Sequence, residues 1–333
     1  KETLFKNIYQ LEPGSFMKIM SNGEIQIKKY WLLKDKAKKI HDQLRNKNES
    51  YIYDQYEYLV NDSLNLQLRS DVEIGTTLSS GFDSSMLTYL IKKRINNFST
   101  FTYGFNESHD ETVFARKLSN SMNLKNYSIK INSNEFKSRL ITTINSQESP
   151  ITSIRVMAMH KMYEKIKEKK IKVILEGQGG DELGAGYEYY YAPYFIDLLR
   201  DSNNYLEAFE KLDKVLKNYK SINAGNKYKR LFNSLMYVMN PGISTQDGIP
   251  FVNHDVFHKD FISLNSNETS SYEMANLLQS MQLIDIEKVI LPRGLRFVDR
   301  ASMASSVEAR VPLLDHRLVE FSLAIPNKFK IYE

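Results

Sequence analysis

The sequence contains no cysteine among its 333 residues. Within these residues, that absence excludes disulfide bonds, thiolate nucleophiles, and zinc or iron–sulfur centres held by cysteine. Long apolar runs are also lacking, since stretches such as residues 86–91 and 171–175 fall far short of the roughly 20 residues that span a bilayer. We therefore expect a soluble, cytoplasmic protein with no membrane partner.

The sequence shows no large excess of charge of one sign. Its formal net charge is +5, and the basic residues are interleaved with acidic ones, as in residues 163–172. This mixture is typical of a solvated helix face rather than of a nucleic-acid surface. Hydrophobic residues make up 42% of the chain, an ordinary globular composition that can bury one large core or two moderate ones. We therefore expect a folded chain without a nucleic-acid partner.

The first 50 residues fall into two parts. Residues 1–33 carry alternating apolar positions broken by turn signals at Pro13-Gly14 and Ser21-Asn22-Gly23, which predicts a short β-hairpin. Residues 34–50 are rich in lysine and asparagine without clear periodicity, and we expect a linker there. A larger domain is predicted over residues 51–333.

Strand-like and helix-like segments alternate in that domain. Buried strand patterns occur at residues 71–78, 98–105, 126–131 and 171–177, with amphipathic helix patterns between them. This order predicts an α/β fold with a doubly wound parallel sheet, whose ligands bind at the carboxyl ends of the strands. Residues 190–290 are aromatic and mostly helical in period, which predicts a helical extension.

A first glycine-rich loop, residues 79–85, follows the first of these strands. Its backbone N–H groups and the hydroxyls of Ser79, Ser80 and Ser84 can converge on a helix start and form an anion pocket. Gly81 lets a phosphate oxygen approach the backbone, whereas the Asp83 carboxylate would repel a phosphate unless a divalent cation lay between them. The stretch indicates a phosphate site with magnesium or, alternatively, a helix start that Asp83 or Ser84 caps.

Other phosphate-binding motifs do not fit this sequence. No Gly-Lys-Ser/Thr triplet is present for a Walker loop. A second glycine-rich loop, residues 177–186, begins like a dinucleotide fingerprint but has Glu182 in place of the third glycine. Asp181 and Glu182 are candidate metal ligands or proton acceptors, or residues that start the next helix. Because both loops are expected at one sheet edge, we favour the functional interpretation.

These stretches resemble the synthetase domain of the asparagine synthetase family, a branch of the PP-loop ATP pyrophosphatases. SSGFDS at residues 79–84 is similar to the family's S-G-G-x-D-S loop, and GQGGDELGAGY at 177–187 to its G-E-G-x-D-E-x-x-x-G-Y loop. Residues 101–118 and 298–321 look like two further family segments. The resemblance implies a sheet of the PP-loop, adenine-nucleotide hydrolase-like type.

The resemblance also implies a reaction and its ligands. ATP lies on the first loop, and Asp83 and Asp181 hold Mg²⁺. A carboxylate, by default that of aspartate, attacks the α-phosphate, which releases pyrophosphate and leaves an acyl-adenylate. Ammonia then displaces AMP and forms an amide. The residues implied around the nucleotide are Leu78, Ser79, Ser80, Gly81, Asp83, Ser84, Tyr103 and Gly177, and those implied in catalysis are Asp83, Gln178, Asp181 and Glu182.

The chain departs from the family pattern at several points. Ser80 replaces the second glycine of the first loop, and Gln178 stands where the family has a glutamate that handles the proton of the incoming amine. Because glutamine cannot act as a base, either Glu182, Glu176 or water takes that role, or the acceptor chemistry differs.

The partner predictions follow from the same resemblance. The family's glutaminase nucleophile is an N-terminal cysteine, so we expect no glutaminase activity from these residues. The hairpin over 1–33 resembles the tail of a glutaminase domain of the same full-length chain, and we interpret the sequence as a fragment. A possible homodimer is left open. The alternatives are an amidotransferase for another acid, such as a sugar acid in surface polysaccharide biosynthesis, a PP-loop tRNA-modifying enzyme, and an ATP-binding module without turnover.

Overall fold

The computed structural model of the chain describes residues 3–105, 110–201, 204–218 and 274–331. The chain divides into two compact units. The first unit consists of Lys1–Leu32, Glu49–Gly180 and Pro292–Val319, and the second of Leu33–Asn48, Asp181–Leu291 and Glu320–Glu333. None of the helices in the described ranges is long and apolar enough to cross a membrane.

The strands of the first unit form a hairpin and a five-stranded sheet. The hairpin joins β1 (Ser15–Ile19) to β2 (Ile25–Lys29) in antiparallel register. The sheet contains β3 (Ile74–Thr77), β4 (Ser99–Gly104), β5 (Lys125–Lys130), β6 (Val173–Leu175) and β7 (Glu308–Arg310). Its order is β5-β4-β3-β6-β7, and every neighbouring pair is parallel. The predicted hairpin and the predicted α/β fold class with a parallel sheet are both confirmed.

Helices account for most of the other described residues. They are α1 (Leu33–Leu44), α2 (Glu49–Gln67), α3 (Phe82–Lys92), α4 (Glu111–Ser121), α5 (Phe136–Gln147), α6 (Ile154–Glu168), α7 (Gly180–Gly184), α8 (Tyr191–Asp201), α9 (Tyr205–Asn218), α10 (Leu277–Glu287), α11 (Ile290–Ala304) and α12 (His316–Ala324). Short 3-10 turns occur at Ser133–Glu135, Glu188–Tyr190, Pro312–Leu314 and Asn327–Phe329.

Helices cover both faces of the sheet, as a doubly wound fold requires. Because side chains alternate along a strand, Val173 and Leu175 lie on one face and Ile174 on the other. The first face packs into one apolar cluster with Leu64 of α2 and with Leu87 and Ile91 of α3. The second face packs into another cluster with Tyr163 and Ile166 of α6 and with Ala301 of α11.

One prediction about the chain's organisation needs correction, and one strand was not predicted. Residues 34–50, predicted as a linker, contain most of α1, because Leu33, Ala37 and Leu44 recur at helical spacing and are buried between the lysines. The strand β7 was not predicted, because its three residues carry no apolar run. The helical extension predicted at 190–290 contains α8, α9 and α10, while residues 202–203 and 219–273 of it lie outside the described residues.

The second unit has a core rich in tyrosine. Tyr189 and Tyr190 are buried, and both hydroxyls donate hydrogen bonds of 2.7 Å to the Asp285 carboxylate. Leu278 of α10 belongs to the same apolar cluster. Asp197 of α8 accepts hydrogen bonds from the first backbone N–H groups of α10, at 2.8 and 2.9 Å. These contacts fix α8 and α10 against each other within this unit.

Candidate functional site

The two glycine-rich loops leave neighbouring strands at the same edge of the sheet. The chain runs from β3 outward to β4 and β5, then returns to add β6 on the other side of β3. Thr76 of β3 pairs with Leu175 of β6 near the carboxyl ends of both strands. Such a reversal of strand order is a topological switch point, where open α/β sheets bind their ligands. The loops that follow β3 and β6 both begin there.

The first loop joins β3 to α3 in a tight turn. Gly81 occupies the N-cap position with an extended backbone (φ −74°, ψ 156°) and no side-chain cap. The interpretation in which Asp83 or Ser84 caps the helix is therefore wrong, since both residues lie inside its first turn. The backbone N–H groups of that turn have no acceptor within the helix, and the helix dipole adds positive charge. The backbone N–H groups of this turn are therefore donors that could bind an anion.

The serine hydroxyls of this loop bond to the loop itself. Ser79 Oγ lies 2.8 Å from Ser84 Oγ and accepts a hydrogen bond of 3.1 Å from the Gly81 N–H. The Ser84 hydroxyl accepts from the Ser79 N–H at 3.0 Å, and the Ser85 hydroxyl donates to the Gly81 carbonyl at 2.8 Å. Ser80 is exposed. Ser79 and Ser84 therefore set the shape of the turn, and their contact with a phosphate stays a prediction.

The second loop packs onto this first turn through two glycines. A Cβ on Gly177 would lie 3.0 Å from the Ser84 amide nitrogen, closer than side chains normally approach a helix backbone. A Cβ on Gly180 would collide with the Asp83 carboxylate. Only glycine permits these close approaches. The structure thus brings the predicted residues Asp83, Ser84 and Gly177 together, and Asp181 follows Gly180 directly in the chain as the first residue of the second unit.

Glu176 is a buried carboxylate at the end of β6. It is 3% exposed, and its Oε1 accepts a hydrogen bond of 2.5 Å from the Tyr163 hydroxyl. The Gln178 side chain also hydrogen-bonds the carboxylate. Burial raises the pKa of Glu176 above its ordinary value, although both hydrogen bonds oppose that rise. Gln178 is therefore a hydrogen-bond partner of Glu176, a contact that the sequence alone did not indicate.

Leu78 directly follows β3, and Tyr103 lies near the carboxyl end of the adjacent strand β4. Leu78 is buried, its N–H donates to the Phe101 carbonyl at 2.8 Å, and its carbonyl accepts from the Thr102 hydroxyl at 2.6 Å. A nucleobase bonded to the Leu78 backbone would therefore use the second lone pair of this carbonyl. Tyr103 is half-buried, and burial raises the pKa of its hydroxyl.

The part of the second glycine-rich loop that begins at Asp181, here called the acidic loop, opens the second unit. Helix α7 begins at Gly180, so Asp181 and Glu182 lie in its first turn and Asp181 is not the residue that precedes it. Glu182 is buried and accepts a hydrogen bond of 2.9 Å from the Tyr187 hydroxyl. Burial raises the pKa of Glu182, and the charges of Asp181 and Asp285 act in the same direction. Burial of Glu182 therefore disfavours its ionised form, and the Tyr187 hydrogen bond partly offsets that effect.

A profile of the asparagine synthase family matches residues 55–333 of the chain. The chain belongs to the asparagine synthase family. The predicted family is thereby confirmed, and the matched range includes both glycine-rich loops and all five strands of the parallel sheet. The asparagine synthase assignment covers Asp83, Gln178, Asp181 and Glu182, whose individual roles stay predictions.

Curated proteins are similar to this chain over nearly its whole length. It is 26% identical over 345 residues to asparagine synthetase [glutamine-hydrolyzing] 1 of Bacillus subtilis (strain 168), which covers 98% of this chain and 51% of that protein. It is 24% identical over 373 residues to the amidase chyE of Penicillium rubens, which covers 99% of this chain and 54% of that protein. The chain thus spans about half the length of these curated relatives.

A solved structure is similar to part of the chain. The NH3-dependent NAD synthetase from Campylobacter jejuni matches with 18% identity and a TM-score of 0.30, over 56% of this chain and 93% of that one. A TM-score this low supports no inference about the fold.

The sequence pattern did not indicate two tyrosines that act on carboxylates of the candidate site. Tyr163 of α6 holds the Glu176 carboxylate. Burial, and to a smaller extent the Asp83 charge, raise the pKa of Tyr56 in α2. Neither tyrosine belongs to a sequence motif, since Tyr163 is the one tyrosine of α6 and Tyr56 is one of four tyrosines in α2.

Proposed function

We propose that this chain is the synthetase part of an ATP-dependent amide-forming enzyme. It adenylates a carboxylic acid and transfers ammonia to the acyl group. The observation that carries the proposal is the meeting of two glycine-rich loops at the switch point between β3 and β6, where Gly177 and Gly180 lie against the first turn of α3. The match to the asparagine synthase family supports it.

ATP binds in this proposal with its phosphates on the first turn of α3. The N–H groups of that turn and the side chain of Ser80 face the phosphates, while Leu78, Tyr103 and Gly177 surround the adenosine. The serine hydrogen bonds within the loop support this role, because a turn that is already rigid loses little conformational entropy when it binds an anion.

Asp83 and Asp181 are the proposed ligands of Mg²⁺. Within the described ranges, no group of three or more histidine, aspartate or glutamate side chains could hold a metal ion. Two carboxylates suit Mg²⁺, which usually takes one or two from the protein and completes its octahedron with water and substrate phosphates. When bound, the ion neutralises charge on the departing pyrophosphate. The donor set therefore fits an ion that arrives with the nucleotide.

The reaction proceeds in two displacements. A carboxylate oxygen of the substrate bonds to the α-phosphorus of ATP, and the bond from that phosphorus to pyrophosphate breaks. Ammonia nitrogen then bonds to the acyl carbon, the bond from this carbon to AMP breaks, and a proton leaves the nitrogen. Adenylation supplies the leaving group that a free carboxylate lacks. The α3 turn stabilises the negative charge that develops on phosphate.

Glu176 is the proposed acceptor of the ammonia proton. Gln178 cannot take a proton, but its side chain hydrogen-bonds Glu176, a buried carboxylate whose raised pKa makes it a stronger proton acceptor than an exposed glutamate. Replacing Glu176→Gln keeps the shape and the Tyr163 partner. We expect amide formation to fall roughly a hundredfold, while ATP–pyrophosphate exchange driven by the acid stays unchanged. A matching loss in Glu182→Gln but not in Glu176→Gln would instead assign the proton to Glu182.

Aspartate is the proposed default acceptor, with another carboxylic acid as the second candidate. Two observations support the second candidate. Gln178 replaces a glutamate of the family pattern, and the chain is similar to a fungal protein named as an amidase. A sugar acid of surface polysaccharide biosynthesis belongs to this second class.

A glutaminase domain of the same full-length chain is the proposed source of ammonia. The related Bacillus subtilis protein is named as glutamine-hydrolysing, and this chain spans 51% of it. The hairpin offers a surface for such a domain, because Ile19, Ile25 and Ile27 are 67%, 58% and 61% exposed. A two-stranded hairpin alone is marginal in water, so a covering domain would stabilise it. A homodimer is the other proposed association.

Pyrophosphate release from Mg–ATP tests the proposed function. The native-length protein is supplied with ammonia and, in turn, aspartate or one of a panel of other carboxylic acids. Release that requires aspartate identifies asparagine synthesis, whereas release only with another acid identifies a specialised amidotransferase. No release with any acid would contradict the proposal and favour an ATP-binding module. A salt-sensitive shift of tRNA in a gel would favour the tRNA-modifying alternative.

A further inference from the structure

Gln282 is a fully buried amide on α10 that bonds the acidic loop. Its side chain is 0% exposed, and Nε2 donates to the carbonyls of Glu182 at 2.8 Å and Leu183 at 3.0 Å. Both carbonyls belong to α7, a helix of 5 residues that is too short to satisfy its own last carbonyls. One side chain therefore donates hydrogen bonds to two successive carbonyls in the loop that carries Asp181 and Glu182.

Lys330 fixes the other end of the same amide. Its Nζ donates to Gln282 Oε1 at 2.8 Å and to the Leu323 carbonyl at 3.3 Å. An amide has donors on nitrogen and acceptors on oxygen, so its two ends cannot be exchanged when one faces carbonyls and the other faces an amine. Lys330 thus determines that the Gln282 N–H groups point at the acidic loop.

A lysine is a costly residue for this position. The two acceptors that bond its amine are both neutral, and burial lowers the pKa of Lys330 to about 7. An amine buried among neutral groups loses hydration that hydrogen bonds to carbonyls only partly replace. A lysine at position 330 is therefore not explained by the stability of the second unit. It is explained by the orientation that it gives to the Gln282 amide.

We propose that Gln282 and Lys330 are positioning residues that hold the acidic loop in the backbone shape needed for amide synthesis. The catalytic consequence rests on the proposed function, but the fixed backbone at Glu182 and Leu183 does not. Two measurements therefore separate the inference from the function. Hydrogen exchange reports the loop backbone directly, and pyrophosphate release reports its effect on turnover.

Gln279 provides a matched control on the same helix. It is also 0% exposed, and its Nε2 donates to the Ile325 carbonyl at 3.3 Å, while its Oε1 has no hydrogen-bond partner among the described residues. Gln279→Leu therefore removes a buried amide from α10 without touching the loop. Gln282→Leu removes the loop contacts as well. Gln282→Glu keeps an acceptor for Lys330 but loses both donors.

The experiment compares these three variants and Lys330→Met with the native-length protein. In Gln282→Leu and Gln282→Glu, we expect amide hydrogens of residues 181–187 to exchange roughly tenfold faster than in Gln279→Leu, because two buried hydrogen bonds are lost. The kcat for acid-dependent pyrophosphate release should fall by a similar factor with the KM for ATP unchanged. A general loss of structure would instead change both constants and all peptides. Lys330→Met should show the same pattern.

The outcomes that contradict the inference are distinct. Equal exchange of residues 181–187 in Gln282→Leu and Gln279→Leu would overturn it, as would a Gln282→Glu variant with native exchange and turnover. If Gln282→Leu does not fold, Lys330→Met decides by the same exchange measurement. If the native protein releases no pyrophosphate with any acid, the proposed function fails, and hydrogen exchange still decides whether the loop is held.

Discussion

Replacing Asp83 by asparagine is expected to lower Mg–ATP-dependent pyrophosphate release roughly a hundredfold or more, because a neutral amide oxygen binds Mg²⁺ much more weakly than a carboxylate does. Asp83 lies in the first turn of α3 and is half-buried against Gly180. Asparagine has the same shape, so the turn itself should survive. ATP without magnesium should bind at least as well as before, since a negative charge beside the phosphates has been removed.

Titration calorimetry with and without Mg²⁺ checks this prediction. The expected signature is opposite in sign for the two ligands: weaker binding of Mg–ATP and unchanged or stronger binding of free ATP. Asp35→Asn is a suitable control, because Asp35 also lies in a helix first turn but belongs to α1 in the second unit. If Mg²⁺ strengthened nucleotide binding equally in the Asp83→Asn variant and the native protein, the assignment of Asp83 as a metal ligand would be wrong.

A single methyl group at Gly180 is expected to reduce pyrophosphate release almost as strongly. A Cβ there would collide with the Asp83 carboxylate, so the loop or the carboxylate must move. A shift of about 1 Å in a catalytic group can cost roughly a hundredfold in rate. Gly184→Ala is the matched control, since a Cβ at Gly184 meets nothing within 4 Å. That variant should keep full activity and be slightly more stable, because alanine favours helix by about 0.5–1 kcal/mol over glycine.

The source of the Gly180→Ala defect can be isolated with a double-mutant cycle. Unfolding free energies are measured for Gly180→Ala and Asp83→Ala, separately and together. Because truncation of Asp83 removes the group that the new methyl would strike, the double variant should be more stable than the sum of the single effects predicts. Strict additivity would show that the methyl group is harmful for another reason, such as a change in the α7 backbone.

The sequence was a good guide to the sheet where apolar runs are continuous. The patterns at 71–78 and 171–177 contain β3 and β6, and α6 lies between the strand patterns at 126–131 and 171–177, where a helix was predicted. β7 was missed because a strand of three residues is held by pairing with β6 and not by its own composition. α1 was missed because its three buried positions are separated by many lysines. Both misses arise from tertiary contacts that local pattern does not contain.

The residues of the candidate site that belong to local motifs could be predicted from the sequence. Serine, glycine and aspartate in one short loop indicated a phosphate turn, and its position at a switch point follows from strand order. The sequence did not indicate which atoms Gly177 and Gly180 approach, because those contacts depend on how the two loops pack. Gln282 and Lys330 could not be found at all, since each meets its partners across a long stretch of chain and belongs to no motif.

The position of β7 in the sheet has a consequence for synthesis on the ribosome. β6 pairs with β3 on one side and with β7 on the other, but the segment Asp181–Leu291 of the second unit is translated between β6 and β7. At roughly 5–20 residues per second, that delay is on the order of ten seconds. During it, Val173–Leu175 presents an unpaired apolar edge that can bind another nascent chain. Until β7 emerges and pairs with β6, this edge is therefore open to pairing with another chain.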